Sequence, residues 1–544
     1  VGAGSNLEDL YEKAMEQEAW HYAGTAKFMR AYGFMMMHEL YGETSYTYGL
    51  GSDETPEYDN GKTIFLGCLA EIDEAIELFS KTQDVSVTAL SVGDTWNGGD
   101  ASKWLKMCYL MKARWCNNLI KKADGSYLDG KYDETTILDC ITKAQTSNSD
   151  NTWVDHKDDA YTSTDVLGWG ESLIMARQFS VQGQSSYFRV SKALYDNLTD
   201  FAGNGVEDPR ADHLLPWTRS QKSADTPAEI KWSDDGKWRR SLGFDMSTTL
   251  RTTGSPYSTS FGEYDIEVTD EDGNVTNTSK GYGWYSNTTS NSLWGDTVYV
   301  RMLSGSINYF GTVDLYYRSY SDIDESASVG IFYNRPSSPN YIATYAEAMF
   351  IKAEVLFNQG DKSGAYTAYK AGVQASIEIM NQKVNVWYGE STTYQTNPTF
   401  IPMTDDEIAD FLANGIGTQA DLTLGHILTQ KQIALFYSIQ GWNDMRRYDY
   451  DTSLFFNWDV PAEYYINASS LTSIPDLGKS GTKYTKGWRR WSQCSHETNY
   501  NIDNLCAIGT DPELVALGAV QGSESWNQEL DVWTIPVWFD STVE

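Results

Sequence analysis

The sequence predicts a mainly α-helical protein, with four helix pairs divided two and two by a large insertion of irregular and mixed character. Three observations predict it. Apolar residues recur with helical period towards both ends of the chain, small residues recur where paired helices would cross, and from Asn151 to Asn340 the composition shifts to Gly, Ser, Thr and aromatics. The 544 residues divide accordingly into repeats at 1–150, an aromatic-rich insertion at 151–340, further repeats at 341–450 and an irregular, Trp-rich tail at 451–544, all within one unit.

The first helical stretch covers Leu7–Tyr41 and gives way to a polar loop, Gly42–Gly61, rich in Tyr, Thr and Gly. A second helix starts at Lys62, and its Phe65, Cys68, Leu69, Ile72, Ala75, Ile76 and Phe79 share one face. Asp100 is placed to cap the next helix, Lys103–Ala123, and a shorter one follows at Asp133–Thr146. Inside the insertion, helix is expected at Gly170–Val181 and Ser185–Thr199. A hairpin is expected over Tyr264–Thr276, turning at Asp272-Gly273. Helical character returns at Tyr341, with Ala346, Met349, Phe350, Ala353 and Phe357 on one face up to Gln359. Gly360-Asp361 breaks that helix, and its partner from Ser363 presents Ala365, Ala368, Tyr369, Gly372, Ala375 and Ile379. Two helices in about 35 residues, with small residues at the crossing, fit one tetratricopeptide-like repeat. The last helical zone covers Thr404–Asn414 and Leu424–Tyr448.

Composition narrows the ligand. Against 41 Lys and Arg stand 75 Asp and Glu, a net charge of −34, with no basic stripe. Such a body repels phosphate backbones and the anionic face of a membrane, so no nucleic acid is expected. Neutral sugars are not excluded. Aromatics make up 14% of the chain, with 19 Trp and 36 Tyr, and both rings stack on apolar sugar faces while donating hydrogen bonds. The six cysteines form no CxxC, and buried free thiols are their default state. Cys108 and Cys116 lie about 12 Å apart along one helix, too far to pair, whereas Cys494 and Cys506 flank a loop and can pair. No run of about 18 apolar residues marks a membrane-spanning helix. Val1–Asn6 reads as a polar stub left by processing, which would place any anchor upstream.

Catalytic signatures are missing. The six histidines share no HExxH or HxxxH spacing, and neither a GxSxG elbow nor a phosphate loop occurs. The acidic run Asp155–Asp159 reads as a solvated loop. Asp270–Asn274 begins like a calcium loop but lacks its sixth-position Gly and twelfth-position Glu, so it reads as the hairpin turn. No catalytic residue, metal ligand or cofactor is therefore assigned, and a structural Ca²⁺ is the one ion left open. Glycoside hydrolysis, which needs two carboxylates across a sugar, is the enzymatic alternative, and a repeat protein that binds only peptide or protein is another.

Several segments carry a family resemblance. Ala26-Lys27-Phe28-Met29-Arg30-Ala31-Tyr32, then Glu39-Leu40-Tyr41-Gly42, resembles the first-repeat signature of SusD/RagB proteins. Gly98-Gly99-Asp100 with Lys103-Trp104 and Lys112-Ala113-Arg114 is similar to a second family segment, and Asp208-Pro209-Arg210 to a third. Tyr345-Ala346-Glu347-Ala348 through Lys352-Ala353-Glu354, and Gln430-Lys431 through Trp442-Asn443-Asp444 and Arg446-Arg447, resemble two family helices. Glu43-Thr44 stands where the family has Asp-Val-Pro, and Cys494-Ser495-His496-Glu497 replaces a C-terminal motif. The resemblance implies a surface-exposed outer-membrane lipoprotein of Bacteroidetes-type bacteria that serves polysaccharide utilisation and nutrient uptake. It would bind glycan without catalysis and hand it to a SusC-like TonB-dependent transporter. Its membrane contact would be only an N-terminal lipid anchor that this sequence does not contain.

Trp104, Trp115 and Trp442 lie in helices and are expected in the core. Trp217, Trp232, Trp238, Trp284 and Trp294 stand among Gly, Ser, Asn and Asp, as a binding platform would. By the resemblance, aromatics of the insertion and of the Tyr46–Tyr58 loop converge on ligand. The expected ligand-binding set is Trp284 and Tyr285 first, then Tyr46, Tyr48 and Trp294, with Tyr282, Trp217 and Trp232. Asn287, Asp296 and Arg301 are the polar candidates for sugar hydroxyls.

Overall fold

The computed structural model describes residues 5–51, 53–157, 191–215, 217–222, 232–240, 260–269, 275–286, 289–290, 328–329, 331–335, 337–390, 398–458, 488–518, 532 and 535–544. The fold is the mainly helical repeat fold expected. Its N-terminal half contains α1 (Ser5–Glu16), α2 (Trp20–Tyr41), α3 (Gly61–Phe79), α4 (Ala101–Asn118) and α5 (Glu134–Lys143). The single stretch expected over Leu7–Tyr41 is two helices, because the backbone turns at Glu18 with φ 54°. Asn60, Asp100 and Asp133 each accept first-turn N–H groups, so the starts of α3, α4 and α5 follow from short polar caps. Helix α2 stops at Gly42, where φ is +85° and an added Cβ would lie 2.5 Å from the Arg490 guanidinium, so only glycine fits.

After β1 (Thr152–Val154) the insertion contains α6 (Lys192–Thr199), α7 (Ala211–Leu214), β2 (Trp217–Lys222), β3 (Trp232–Arg240), β4 (Ser260–Thr269), β5 (Val275–Ser286), β6 (Thr289–Ser290), β7 (Ser328–Val329) and β8 (Asn340–Ala343). Strands β4 and β5 form the expected antiparallel ribbon, with Thr269 opposite Val275, and β2 pairs with both β3 and β7. The helix expected at Gly170–Val181 lies outside the described residues. Strands β1 and β8 pair antiparallel, so the insertion leaves and rejoins the body side by side. Asn151 reinforces this neck by accepting the Tyr345 N–H at 2.7 Å.

The C-terminal half consists of α8 (Tyr345–Asn358), α9 (Lys362–Glu390), α10 (Asp405–Asp410), α11 (Leu424–Ala434), α12 (Ile439–Arg447), α13 (Ser495–Tyr500), α14 (Ile502–Ile508) and α15 (Pro512–Leu517). Among the described residues α2 packs on α3 and α4 on α5 before the insertion, with α1 also on α2, and after it α8 packs on α9 and α11 on α8, with α12 following α11 in sequence. Helix α8 serves two cores. Ala348, Ile351 and Val355 join the N-terminal core with Trp104, Trp115 and Trp538. Ala346, Phe350 and Ala353 join a second core with Tyr369, Trp387 and Ile427. Leu198, Ala211, Leu214 and Leu215 also lie in that second core, so part of the insertion belongs to the body. Gly372 of α9 faces Phe350 closely, as a helix crossing built on small residues requires.

Charged residues of the resemblance motifs form a buried seam between the halves. Both carboxylate oxygens of Glu347 accept from Arg114, at 2.6 Å each. Glu354 takes the Arg447 guanidinium, accepts from Asn117 at 3.0 Å and from the Tyr448 hydroxyl at 2.7 Å. Asp444 bridges Arg447 and Lys431. Burial alone pushes the Glu354 carboxyl up, but the Arg447 charge outweighs it and holds the group well below the ordinary carboxylate range. Arg210 pairs with Asp208 and donates to Gln430 and Ser376 in the same manner.

Candidate functional site

One helix expected to be continuous breaks, and the break opens a cavity. Leu424–Tyr448 divides into α11 and α12 because Ser438 accepts the Gln440 N–H and caps a new helix. Just before it, Tyr437 sits at φ 65°, a left-handed conformation that costs a bulky side chain energy. The break is braced by aromatic packing. Tyr333 stacks on Phe436 at 5.4 Å and 15°, and Phe436 meets Tyr437 at 4.6 Å.

The cavity beside this break has a volume of about 590 Å³, within the range of small-molecule sites. It lies where α2, the β8 neck and the α11–α12 break converge. Tyr32, Met36 and Leu40 line it from α2, Tyr341 and Ile342 from the neck, and Phe436, Tyr437 and Trp442 from the break. Tyr437 is 43% exposed at the mouth. Trp442 is half-buried: Arg446 covers one face with its guanidinium 3.8 Å from the ring centre, and its N–H reaches the Tyr450 hydroxyl and the Trp488 carbonyl. The core position expected for Trp442 is thus only half correct, whereas Trp104 and Trp115 are fully in the core.

The floor is polar but satisfied. Arg114 donates to Glu347 and to the Ile342 carbonyl, and Thr344 accepts the Glu347 N–H as the cap of α8. Burial alone would lower the Arg114 pKa, yet Glu347 raises it, so Arg114 keeps its charge beside its carboxylate partner. Burial pushes the Tyr32, Tyr333 and Tyr341 phenols up, which keeps all three neutral. The cavity therefore offers ring faces and neutral hydroxyls around a compensated charge pair, which suits a ligand with apolar faces and a hydroxylated edge.

The residues expected from sequence are distributed differently. Tyr46 lies against the body, with the Arg30 guanidinium 4.5 Å over its ring and Phe34 edge-on at 5.1 Å. Tyr48 is exposed. Trp217 is half-buried against the second core and donates its indole N–H to the Asp212 carbonyl at 2.9 Å. Trp284, Tyr285 and Tyr282 lie on β5, opposite Phe261, Ser260 and Glu263 of β4. Trp232 starts β3 opposite Lys222, and Trp238 is on the same strand. Asn287, Trp294, Asp296 and Arg301 lie outside the described residues, as does the turn at Asp270–Asn274. Among the described residues no group of three or more His, Cys, Asp or Glu side chains is arranged to hold a metal. All six cysteines are free, including Cys494 and Cys506. No described helix is long and apolar enough to cross a membrane.

Sequence reasoning missed Tyr32, Tyr333, Tyr341, Phe436, Tyr437 and Trp442 as a group. The available signal was Ser438, a good helix cap directly after an aromatic pair inside an expected helix.

The chain belongs to the SusD-like family, whose profile, described as starch-binding associating with outer membrane, matches residues 4–257 and 300–460. Among solved structures it is similar to a SusD homologue from Bacteroides fragilis, at 17% identity and a TM-score of 0.58, covering 99% of this chain and 89% of that one. A SusD/RagB family protein from Bacteroides thetaiotaomicron aligns at 18% identity and 0.54, over 100% and 86%. A chitin-binding SusD homologue from Flavobacterium johnsoniae aligns at 16% and 0.54, over 98% and 84%. Likeness at these identities shows the fold. No curated protein matches the chain.

Proposed function

We propose that this protein is a non-catalytic glycan-capture protein of the cell surface that holds neutral oligo- or polysaccharide and passes it to a SusC-like TonB-dependent transporter in the outer membrane. The observation that carries the reading is the 590 Å³ cavity, where Tyr341, Phe436, Tyr437 and Trp442 surround a neutralised Arg114–Glu347 floor. Aromatic faces with neutral hydroxyls suit sugar rings. The family description and the chitin-binding relative support the same ligand class. A neutral chain fits better than a uronate-rich one, because the body carries a net charge of −34 and Arg114 is already committed to Glu347.

Hydrolysis fits the cavity poorly. A glycosidase needs two working carboxylates, and Glu347 is the only carboxylate among the described lining residues, with both oxygens held by Arg114. Isothermal titration against a polysaccharide panel tests the function, with product analysis after long incubation. Saturable binding to a neutral glycan without shortened products is expected. Binding to peptides and to no glycan, or release of shortened oligosaccharide, overturns it. Co-purification with the transporter from outer membranes tests the delivery step.

A further inference from the structure

We infer that Trp491 forms an outer sugar subsite, so that the protein grips a long chain running from the cavity across the end of α2. The inference rests on the cavity being the glycan site and adds a second contact beyond it.

Trp491 is 56% exposed, although its neighbours Arg489 and Arg490 are 5% and 1% exposed. An exposed indole on a loose segment would mean little. This segment is anchored residue by residue. The Arg489 guanidinium donates to the Arg446 carbonyl and to Asp449, both at 2.5 Å. Arg490 pairs with buried Glu43 and donates to the Ile535 carbonyl at 2.9 Å. Gln493 donates its amide to the Glu43 carbonyl at 2.8 Å. The Trp491 N–H itself donates to the Leu40 carbonyl at 2.8 Å.

Those anchors also place the segment beside the cavity. Leu40 lines the cavity, and so does Trp442, whose indole N–H donates to the Trp488 carbonyl three residues before Trp491. The segment is thus fastened to two residues that line the cavity, which puts Trp491 next to it without making it part of the lining. A fixed backbone leaves only two side-chain torsions to be ordered when a ligand lands, so the indole is prepared for stacking at little entropic cost. A ring face presented this way takes the apolar face of a pyranose. The occupant is a further residue of the same chain that fills the cavity, and Trp491 thereby makes affinity depend on chain length.

The test is a titration of malto- and chito-oligosaccharide ladders, from disaccharide to octasaccharide, into wild type, Trp491→Ala and Trp491→Phe. Thermal melts of each variant establish that it is folded. For whichever ladder binds, wild-type affinity is expected to rise with length. Trp491→Ala should lose roughly tenfold on the longest oligomers, in line with one lost aromatic contact, with little change on the shortest. Trp491→Phe should retain most of the affinity. Equal affinities of wild type and Trp491→Ala at every length overturn the subsite while leaving the cavity reading intact, as does an equal loss at every length. Loss of transporter co-purification with unchanged oligosaccharide binding also overturns it and makes the ring a protein contact. Wild type that binds neither ladder nor any neutral glycan of the panel removes the cavity reading itself.

Discussion

Helices α11 and α12 carry both the buried charged seam and the wall of the aromatic cavity, and the two regions use similar residues in opposite ways. In the seam, Glu354, Asp444, Lys431 and Arg447 bond one another and are all buried. At the cavity, Arg114 and Glu347 are equally satisfied, but rings half-exposed to free space stand above them. A buried charge network marks framework when nothing opens onto it. The same network under exposed aromatics becomes the floor of a site, because its polar atoms are already spent and only the rings remain available.

The largest effect expected from breaking this contrast is in the seam. Glu354→Ala leaves Arg447 buried without its main partner and should cost about 3–5 kcal/mol of stability. Urea unfolding measures it, and the fraction that stays folded should still bind glycan. A change below about 1 kcal/mol would show the seam to be dispensable.

His38 gives the next effect, outside both regions and against the start of the Gly42–Gly61 loop. Its ring is fully buried between Phe65 and Phe539, with Nδ1 2.9 Å from the Gly42 carbonyl. Burial depresses its pKa to about 3, from an ordinary 6.5. Between those values the unfolded chain binds the extra proton, so stability falls as pH drops from 6.5 towards 3, by on the order of a few kcal/mol. His38→Gln should flatten that part of a stability–pH curve. An unchanged acid slope would place the lost stability in other groups.

The smallest effect on stability belongs to the cavity. Tyr437→Gly relieves the left-handed backbone but gives up the ring's packing on Phe436, so the two effects offset and stability should change by less than about 1 kcal/mol while glycan affinity falls roughly tenfold. Lower stability with unchanged affinity would place Tyr437 in the framework.

The framework was largely legible in sequence because its signals are local. Asp100 caps α4, Gly360-Asp361 separates α8 from α9, and Asp272-Gly273 falls between paired strands. The seam was legible through motif resemblance, although its physical role is visible only once Arg114 meets Glu347, 233 positions away. The cavity was not legible. Its rings come from α2, the β8 neck and the α11–α12 break, segments far apart in sequence, and of these rings only Trp442 is given a place from sequence, in the core. Tyr46 and Trp217 show the reverse error. Polar neighbours suggested exposure, yet Arg30 and Phe34 surround one ring and the second core half-buries the other. Trp491 was not singled out because the tail reads only as irregular and Trp-rich, and its anchoring by buried Arg489 and Arg490 is visible only in the fold.

A crystal structure of the protein with the longest oligosaccharide that it binds tests the central claim most directly. A pyranose is expected in the cavity against Tyr437 and Trp442, above the intact Arg114–Glu347 pair. Sugar bound elsewhere, such as along the β4–β5 ribbon at Trp284 and Tyr285, with the cavity empty, would contradict it.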